Sequence, residues 1–567
     1  MLATVVLMSL PWLVPHMGWT ALFGLVPLLI MERLATSGGS KHFFWWHYGT
    51  FVLWNAVTTW WVCEATVGGG IFAVLANALQ MSVVFGSFRL VKKRLSGALP
   101  YIYLAAAWIA WERFYLTSAQ ISWPWLVLGN AFADTTGLVQ WYSVLGHTGG
   151  SLWVWLCNLS IFGLMVAFSD GRFSSWNLKA RAAAIFGAVL ALFGPMARSW
   201  SISSREFTGE PLRVVIGQPN FDPYQKFEFL TQAQQDARYL KLLEEATPID
   251  ELVLILAPET FTSRVFTDDI ESHETYRRFQ GFLSGHPLAS VIYGASSYEK
   301  VYSFSSPDPC AYDMGLQSGG SHLWILMHNS AISVDTSGVT GLYHKSKLVV
   351  GTELTPYPKF FIPFQKLLLG ETVMAQDVGQ KRISCLPIVT YGDSLGLRPR
   401  NDKKEVAGSV MPGIDNSVMP GIDRAYPVIP SEASVSPIGT AVCYESVYGE
   451  FCTGYVREGA RLLAVITNDA WWGNTPGYRQ HLNYSRLRAI ECGRYVARCA
   501  NTGISAIIDP HGRILSHTSW WQPAVLDGTV QLLDGQTFFV RYGDITGRIS
   551  VLLFLLLALV ALVPRHR

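Results

Sequence analysis

Three side chains stand just past short apolar runs of this sequence and together form a set able to transfer an acyl group. Glu259 follows Leu252–Leu256 in Leu-Ala-Pro-Glu-Thr. Lys345 follows the run Ala331–Val334 and the turn Thr336–Gly338, in Leu-Tyr-His-Lys-Ser-Lys-Leu-Val. Cys443 ends Ile-Gly-Thr-Ala-Val-Cys-Tyr-Glu. A carboxylate can take a thiol proton, an ammonium can stabilise a thiolate and a tetrahedral oxyanion, and a thiolate can attack an ester or amide carbonyl. A free thiol ionises near about 8.5, so speed at neutral pH demands a charged neighbour. Singly, each residue has an ordinary structural reading: a cysteine at a strand end packs as a small hydrophobe, and a glutamate after proline is a turn residue. Their shared position after strands is what points to chemistry, because α/β folds present reactive groups beyond the carboxyl ends of their strands.

The elements that must position them read as short β-branched runs alternating with amphipathic stretches. The runs are 213–217, 251–256, 290–293, 322–326, 438–442, 461–466 and 505–508, with helical spacing over Thr231–Ala246 and Arg479–Arg498. That order predicts an α/β domain, a sheet covered by helices. No period of 20–50 residues recurs, which excludes a solenoid. Residues 400–436 read as a loop insertion: a charged stretch precedes an eight-residue direct repeat at 409–424, Ser-Val-Met-Pro-Gly-Ile-Asp twice over, rich in turn formers.

The rest of the chain is of another kind. Of 84 charged residues among 567, only 16 fall in residues 1–200, whereas 16 of the 21 tryptophans do. With half the residues apolar and a mean hydropathy of +0.25, the chain is neither disordered nor wholly water-soluble. Apolar stretches predict membrane helices near 2–15, 18–32, 43–63, 70–88, 97–112, 138–168 and 182–199, with a last one near 545–563. Placing the N-terminus inside gathers eleven basic residues on the inner face (Arg33, Lys41, Arg89, Lys92, Lys93, Arg94, Arg172, Lys179, Arg181, Arg565 and Arg567) against Arg113 and Arg198 on the outer. The positive-inside rule then exports the domain that follows. The expected layout is a transmembrane domain at 1–200, an extracytoplasmic catalytic domain at 201–544, and a C-terminal helix with a cytoplasmic tail at 545–567. A net charge of +2 without a basic cluster excludes a nucleic-acid binder.

The exported cysteines Cys310, Cys385, Cys443, Cys452, Cys492 and Cys499 would face a space that permits disulfides. Cys492 and Cys499 are seven apart on one expected helix face, without acidic or histidine partners at metal-ligand spacing. His481 reads as a structural histidine on a helix, with assistance to proton transfer as the competing role. Trp471 and Trp472, after Asn468-Asp469, read as packing or as a lip facing lipid.

Taken together, Pro258-Glu259, Lys345 and Cys443-Tyr444-Glu445 resemble, in order and local context, the Glu-Lys-Cys triad of the nitrilase-type carbon–nitrogen hydrolases. Further segments resemble one membrane branch of that superfamily, the apolipoprotein N-acyltransferases. They are Val214–Asp222, Tyr343–Glu353, Asn468–Gly473, Gln480-His481, Arg488–Arg494 and Asn501–Gly503, with Trp123–Gly129 in the membrane part. Two positions depart from the family pattern: Ala257 stands where the family has Trp, and Val350-Gly351-Thr352 where it has Pro-Phe-Gly. The resemblance implies a polytopic α-helical membrane domain joined to an α/β nitrilase-like αββα sandwich. It also implies ping-pong acyl transfer from a phospholipid to a diacylglyceryl apolipoprotein by a monomer in the bacterial inner membrane, without cofactor or metal. Glu259 would be the base, Cys443 the nucleophile and Lys345 the oxyanion donor, helped by a backbone N–H near Tyr444. Glu353 would orient Lys345, Glu445 would order the pocket wall, and Trp471 would border the site. The competing readings are a membrane-tethered amidase using water as acceptor, and a transporter or scaffold with a dead domain. Many spans beside an intact triad speak against both.

Overall fold

A computed structural model describes residues 1–222, 230–359, 361–362, 376–391 and 433–563. The 409–424 repeat, with Arg565 and Arg567, lies outside the described residues.

Helices stand at each expected apolar stretch of the first 200 residues: α1 (Leu2–Leu13), α2 (Gly18–Ser37), α3 (Phe43–Thr59), α4 (Val67–Lys92), α5 (Leu99–Thr117), α6 (Tyr142–Ser169) and α7 (Leu178–Ser203). Of these, α2, α4, α6 and α7, with a last helix at Ile545–Leu562, are long and apolar enough to cross a membrane. Their mutual faces are filled by aromatic rings. Phe51 packs on Trp108 at 5.6 Å, and Trp108 on Trp155 at 5.5 Å. The outer face of α7 presents Phe186, Leu190 and Phe193 uncovered, as a lipid-facing helix does. Buried Glu112 on α5 accepts from Trp108 Nε1 and from the backbone N–H of Leu128, tying the loop that carries Trp123 and Trp125 to the bundle.

The strands form two sheets. The first runs β14 (Ala524–Leu532), β1 (Glu210–Gln218), β2 (Val253–Leu256), β4 (Ala289–Ser303), β6 (His322–Asp335), β5 (Tyr312–Leu316), with β3 (Thr262–Phe266) beside β4 and β7 (Gly338–His344) beside β6. The second runs β13 (Ile514–His517), β12 (Ala506–Ile508), β11 (Val496–Ala500), β10 (Leu462–Thr467), β9 (Ala433–Val442), β8 (Leu386–Tyr391). Period-two alternation divides each strand between two layers. Leu254 and Leu256 of β2 meet Ile438 and Ile466 between the sheets, whereas Val253 and Ile255 face outward onto Tyr239 and Phe279. Those two rings belong to α8 (Gln232–Glu244) and α9 (Glu274–Leu283). On the far side, α10 (Gly449–Arg457) and α11 (Pro476–Cys492) cover the second sheet through Cys452, Tyr455 and Ala489. The result is a helix–sheet–sheet–helix sandwich closed by α12 (Ile545–Leu562), which returns to pack on α5 through Phe554 and Tyr103.

Three expectations are corrected. The helix expected over Arg479–Arg498 ends at Cys492, because Gly493 adopts a left-handed φ of 61° and the next residues enter β11. Buried on both faces, Val496–Ala500 lacks the alternation that marks a half-buried strand. Cys499 therefore lies on a strand, and it shares no helix face with Cys492. The insertion expected over 400–436 stops short of its far end, since residues 433–436 already pair with β8. Pro437 is tolerated there because pairing with β10 begins only at Ile438.

One glycine is required by a close approach. A Cβ on Gly294 of β4 would meet Pro258 O at 2.5 Å and Glu259 Cα at 2.6 Å, so β4 passes Glu259 only because this residue has no side chain. Gly294→Ala is expected to destabilise the fold by roughly 1–3 kcal/mol through overpacking, read as a lowered Tm of the purified protein in detergent.

Candidate active site

Strand ends of both sheets converge on one place, two of them from parallel pairs and one from the antiparallel β6–β7 hairpin. Glu259 leaves β2, Lys345 leaves β7 and Cys443 leaves β9, and all three are buried. Lys345 Nζ lies 3.1 Å from Glu259 Oε1 and 2.8 Å from Glu353 Oε1. Asn329, midway along β6, donates from Nδ2 to both carboxylates at 2.8 and 2.9 Å, while its carbonyl accepts from Lys345 N. The second oxygen of Glu259 accepts from Asn468 N, and that of Glu353 from Val349 N. Every oxygen of the two carboxylates therefore has a donor, the condition under which buried charges are tolerated.

Cys443 holds a left-handed φ of 51°, a conformation that costs a side-chain-bearing residue about 1–2 kcal/mol. Its carbonyl is pinned from two sides. Ser446 Oγ donates to it at 2.8 Å, and His481 Nε2 lies 3.1 Å away. His481 is fully buried, 2.9 Å from Asp469, which Arg498 meets from the other side at 2.6 Å. Burial, seconded by Arg498, lowers the imidazole pKa against the opposing carboxylate of Asp469, and the ring braces the turn that carries Cys443.

The charges set the resting state. Burial pushes the Cys443 thiol well up, and the Glu259 carboxylate adds to it, with Lys345 opposing. Burial would lower the Lys345 pKa, yet the carboxylates of Glu259 and Glu353 raise it well above the usual lysine value. The site thus rests as a neutral thiol near an ammonium, and the sulfur would have to lose its proton before it could act as a nucleophile. Thr467, at the end of β10, donates from Oγ1 to Asp469 Oδ1 at 2.9 Å, beside the same turn.

Among the supporting residues, Glu445 holds the loops together. Its two oxygens accept from Tyr343 OH (2.6 Å), Ser346 N (2.6 Å), Val442 N (2.8 Å) and Tyr455 OH (3.1 Å), clamping the lysine turn to the nucleophile turn. Tyr444 stacks on Trp123 of the membrane part, 6.3 Å between centroids, and donates to Ser122 O. Trp471 is 41% exposed. Its neighbour Trp472 is the ring that packs, against Trp61 at 4.8 Å, Trp125 at 5.6 Å and His481 at 5.4 Å. Beneath them Gln480 accepts from the indoles of Trp61 and Trp125 and donates to the carbonyls of Trp12 and Thr58. Asn329 and Thr467 carried no sequence signal, being polar residues inside strands. Gln480 stood in a recognised segment without a stated role.

Comparison with known proteins agrees with this layout. The family model described as Carbon-nitrogen hydrolase matches residues 231–538, and that described as Apolipoprotein N-acyltransferase N-terminal domain matches residues 5–160. The chain is 26% identical over 564 residues to a protein of Chlorobaculum tepidum named apolipoprotein N-acyltransferase, covering 98% of this chain and 94% of that one. It is 25% identical over 492 residues to the Geobacter metallireducens protein of that name, covering 86% and 79%. Among solved structures, a carbon-nitrogen hydrolase from Helicobacter pylori aligns with 61% of this chain and 94% of its own at 14% identity, with a TM-score of 0.32.

The opposed charges make a signed prediction for the thiol. Glu259→Gln removes the negative charge that raises the Cys443 pKa, so alkylation of Cys443 by iodoacetamide at pH 8 should become faster. Lys345→Met should make it slower. Intact-mass time courses of the full-length protein measure both.

Proposed function

The chain belongs to the carbon–nitrogen hydrolase family, and within it to the apolipoprotein N-acyltransferases. On that premise we propose that it moves an acyl chain from a membrane phospholipid, through a thioester on Cys443, to the N-terminal amine of the lipidated cysteine of an apolipoprotein. The observation that carries this reading is the collar of Trp61, Trp123 and Trp125. These side chains of the membrane part pack directly on Trp472 and Tyr444 beside the nucleophile, so the site is walled by the part of the chain that meets lipid.

In the first half-reaction Glu259 takes the Cys443 proton as sulfur attacks the ester carbonyl. Lys345 and a backbone N–H near Tyr444 hold the oxyanion. The tetrahedral adduct collapses to a thioester, and protonated Glu259 returns the proton to the departing lysophospholipid alkoxide. In the second, the amine of the lipidated cysteine attacks the thioester, Glu259 takes its proton, and collapse to the amide releases the Cys443 thiolate, which Glu259 reprotonates. Glu353 and Asn329 keep the ammonium aimed. Hydrolysis by water, the amidase reading, needs only a tether and gives the aromatic collar no purpose.

The same reading assigns residues 1–200 and 545–567 to the inner membrane and its cytoplasmic edge, and places residues 201–544 on the periplasmic side of a bacterial cell. The enzyme works as a monomer, with the basic loops inside.

Two experiments test it. Purified protein incubated with phospholipid should gain one acyl adduct by intact mass, and addition of a diacylated lipopeptide should discharge it as the triacylated product. Cys443→Ala should abolish the adduct and Cys310→Ala should leave it. Glu259→Gln should lower the rate of adduct formation by about 10²–10⁴ despite its more reactive thiol, the range for loss of a positioned base. An adduct persisting in Cys443→Ala would refute the nucleophile. For orientation, a reporter active only in an oxidising compartment should work when fused after residue 210, and activity confined to the cytosol would reverse the topology.

A further inference from the structure

Two residues beyond Lys345 stands a second lysine that the acyl-transfer steps leave unused. Ser346 N and Lys347 N both donate to Glu445 Oε1, and around this turn the two lysines part company. Lys345 joins the carboxylates, while Lys347 lays its ammonium over the rings of Tyr448 at 5.2 Å and Phe451 at 5.8 Å. Lys347 is half-buried, and among the described residues no carboxylate lies within ion-pair distance of it. Burial accordingly pushes its pKa down, with only the more distant Glu445 acting against it.

Lys347 lines a cavity of about 190 Å³ together with Thr117 at the end of α5, His147 and Thr148 in α6, Tyr448 and Phe451. The cavity lies where the ends of the membrane helices meet the catalytic domain. Two carboxylates also border it, but their charge is already answered. Arg113 contacts Glu450 and Asp544 at 3.0 Å each, and Arg548 contacts Glu450 at 3.2 Å. Deeper, Glu491 is met by His147 and Arg488. Two guanidiniums against two carboxylates at the rim leave Lys347 as the unmatched charge, and the cavity can accept one negative charge. His147 is 1% exposed, and with its Nδ1 donating to Glu491 its Nε2, which has no partner among the described residues, presents a lone pair, so Lys347 is the group that would meet an anion.

We propose that this cavity binds the phosphodiester of a phospholipid, with Lys347 supplying the charge that holds it. The aromatic faces under the ammonium strengthen the site by limiting its hydration. Tyr448 lines this cavity and packs its ring at 5.3 Å on that of Tyr444, the residue next to Cys443. A lipid anchored here by its headgroup phosphate would have its ester linkages within reach of Cys443. The lipid's role as acyl donor rests on the proposed function, whereas its binding does not.

The test separates the two. In the full-length Cys443→Ala protein, which cannot turn over, phosphatidylglycerol binding is titrated in nonionic detergent by native mass spectrometry, and inorganic phosphate is titrated in parallel. Lys347→Met keeps the stem over the two rings and removes the charge. It should weaken lipid binding by about tenfold or more, the scale of a lost charge-assisted contact, at unchanged Tm. Lys347→Arg should restore binding to within about threefold. Lipid affinity unchanged in Lys347→Met would overturn the site, and inorganic phosphate binding as tightly as the lipid would overturn its assignment to a phospholipid. With Cys443 intact, Lys347→Met should raise the KM for phospholipid while leaving the limiting rate of adduct formation in place. A wild-type protein that binds lipid but never forms the adduct would sink the acyl-transfer reading and leave the binding site standing.

Discussion

A buried ammonium shared by two carboxylates is the interaction on which the rest of the structure depends. Charges withdrawn from water are tolerated only when geometry and extra hydrogen bonds repay their desolvation, and here the repayment comes from distant parts of the chain. Glu259 leaves one sheet, Lys345 leaves a hairpin on that sheet's edge, Glu353 lies in the following loop, and Asn329 bridges both carboxylates from the middle of a strand. The glycine at 294 exists so that a strand can pass behind the first of them. The second sheet contributes the sulfur, and Glu445 joins the two contributions with hydrogen bonds from both loops. The sandwich thus brings these ends together while leaving no oxygen of Glu259 or Glu353 without a donor.

The membrane helices are part of this frame. Gln480 on α11 receives two indole N–H groups from the membrane part and gives its amide hydrogens to two carbonyls there. Arg113 spans α5, α10 and the start of α12 through Glu450 and Asp544, and Glu491 on α11 takes hydrogen bonds from both the backbone and ring of His147 on α6. Such buried polar joints specify one relative placement, because a slide of an ångström or two would strand several of them at once. The aromatic collar adds contact area to that rigid joint. The surroundings of Cys443 are therefore set jointly by residues of both parts.

What was legible in the sequence follows the same physics. Membrane helices declare themselves by length and apolarity, and residues at strand ends by their place between an apolar run and a turn, so the helical stretches and the positions of Glu259, Lys345 and Cys443 after strands could be read directly. Strand β11 could not, since burial on both faces erases alternation and the helix before it shares its apolar character. Edge strands β8 and β14 escaped for the opposite reason: their mixed patterns are those of surfaces. Asn329 and Thr467 were hidden because a polar residue inside a strand looks like any solvent-facing position until the partner loops are in place. Lys347 sat in plain view within the lysine motif, but only the fold shows that the turn at Ser346 sends it away from the triad.

The protonated thiol is the feature that reconciles this architecture with chemistry at a lipid border. A permanently ionised sulfur beside a bilayer would lie open to oxidation and to indiscriminate electrophiles, since thiolate character governs both. Here burial and the Glu259 charge hold the proton on sulfur, and the counter-charge of Lys345 is spent first on the two carboxylates. On the proposed mechanism an incoming carbonyl would change that balance. As negative charge moved from sulfur to the carbonyl oxygen, the ammonium would gain an oxyanion to stabilise, and Glu259, on receiving the proton, would cease to oppose it. The same carboxylate that holds the proton on sulfur at rest would thus remove its own opposition during attack. Reactivity would then be coupled to occupancy of the pocket, with the left-handed turn at Cys443, braced by Ser446 and His481, keeping the sulfur in place.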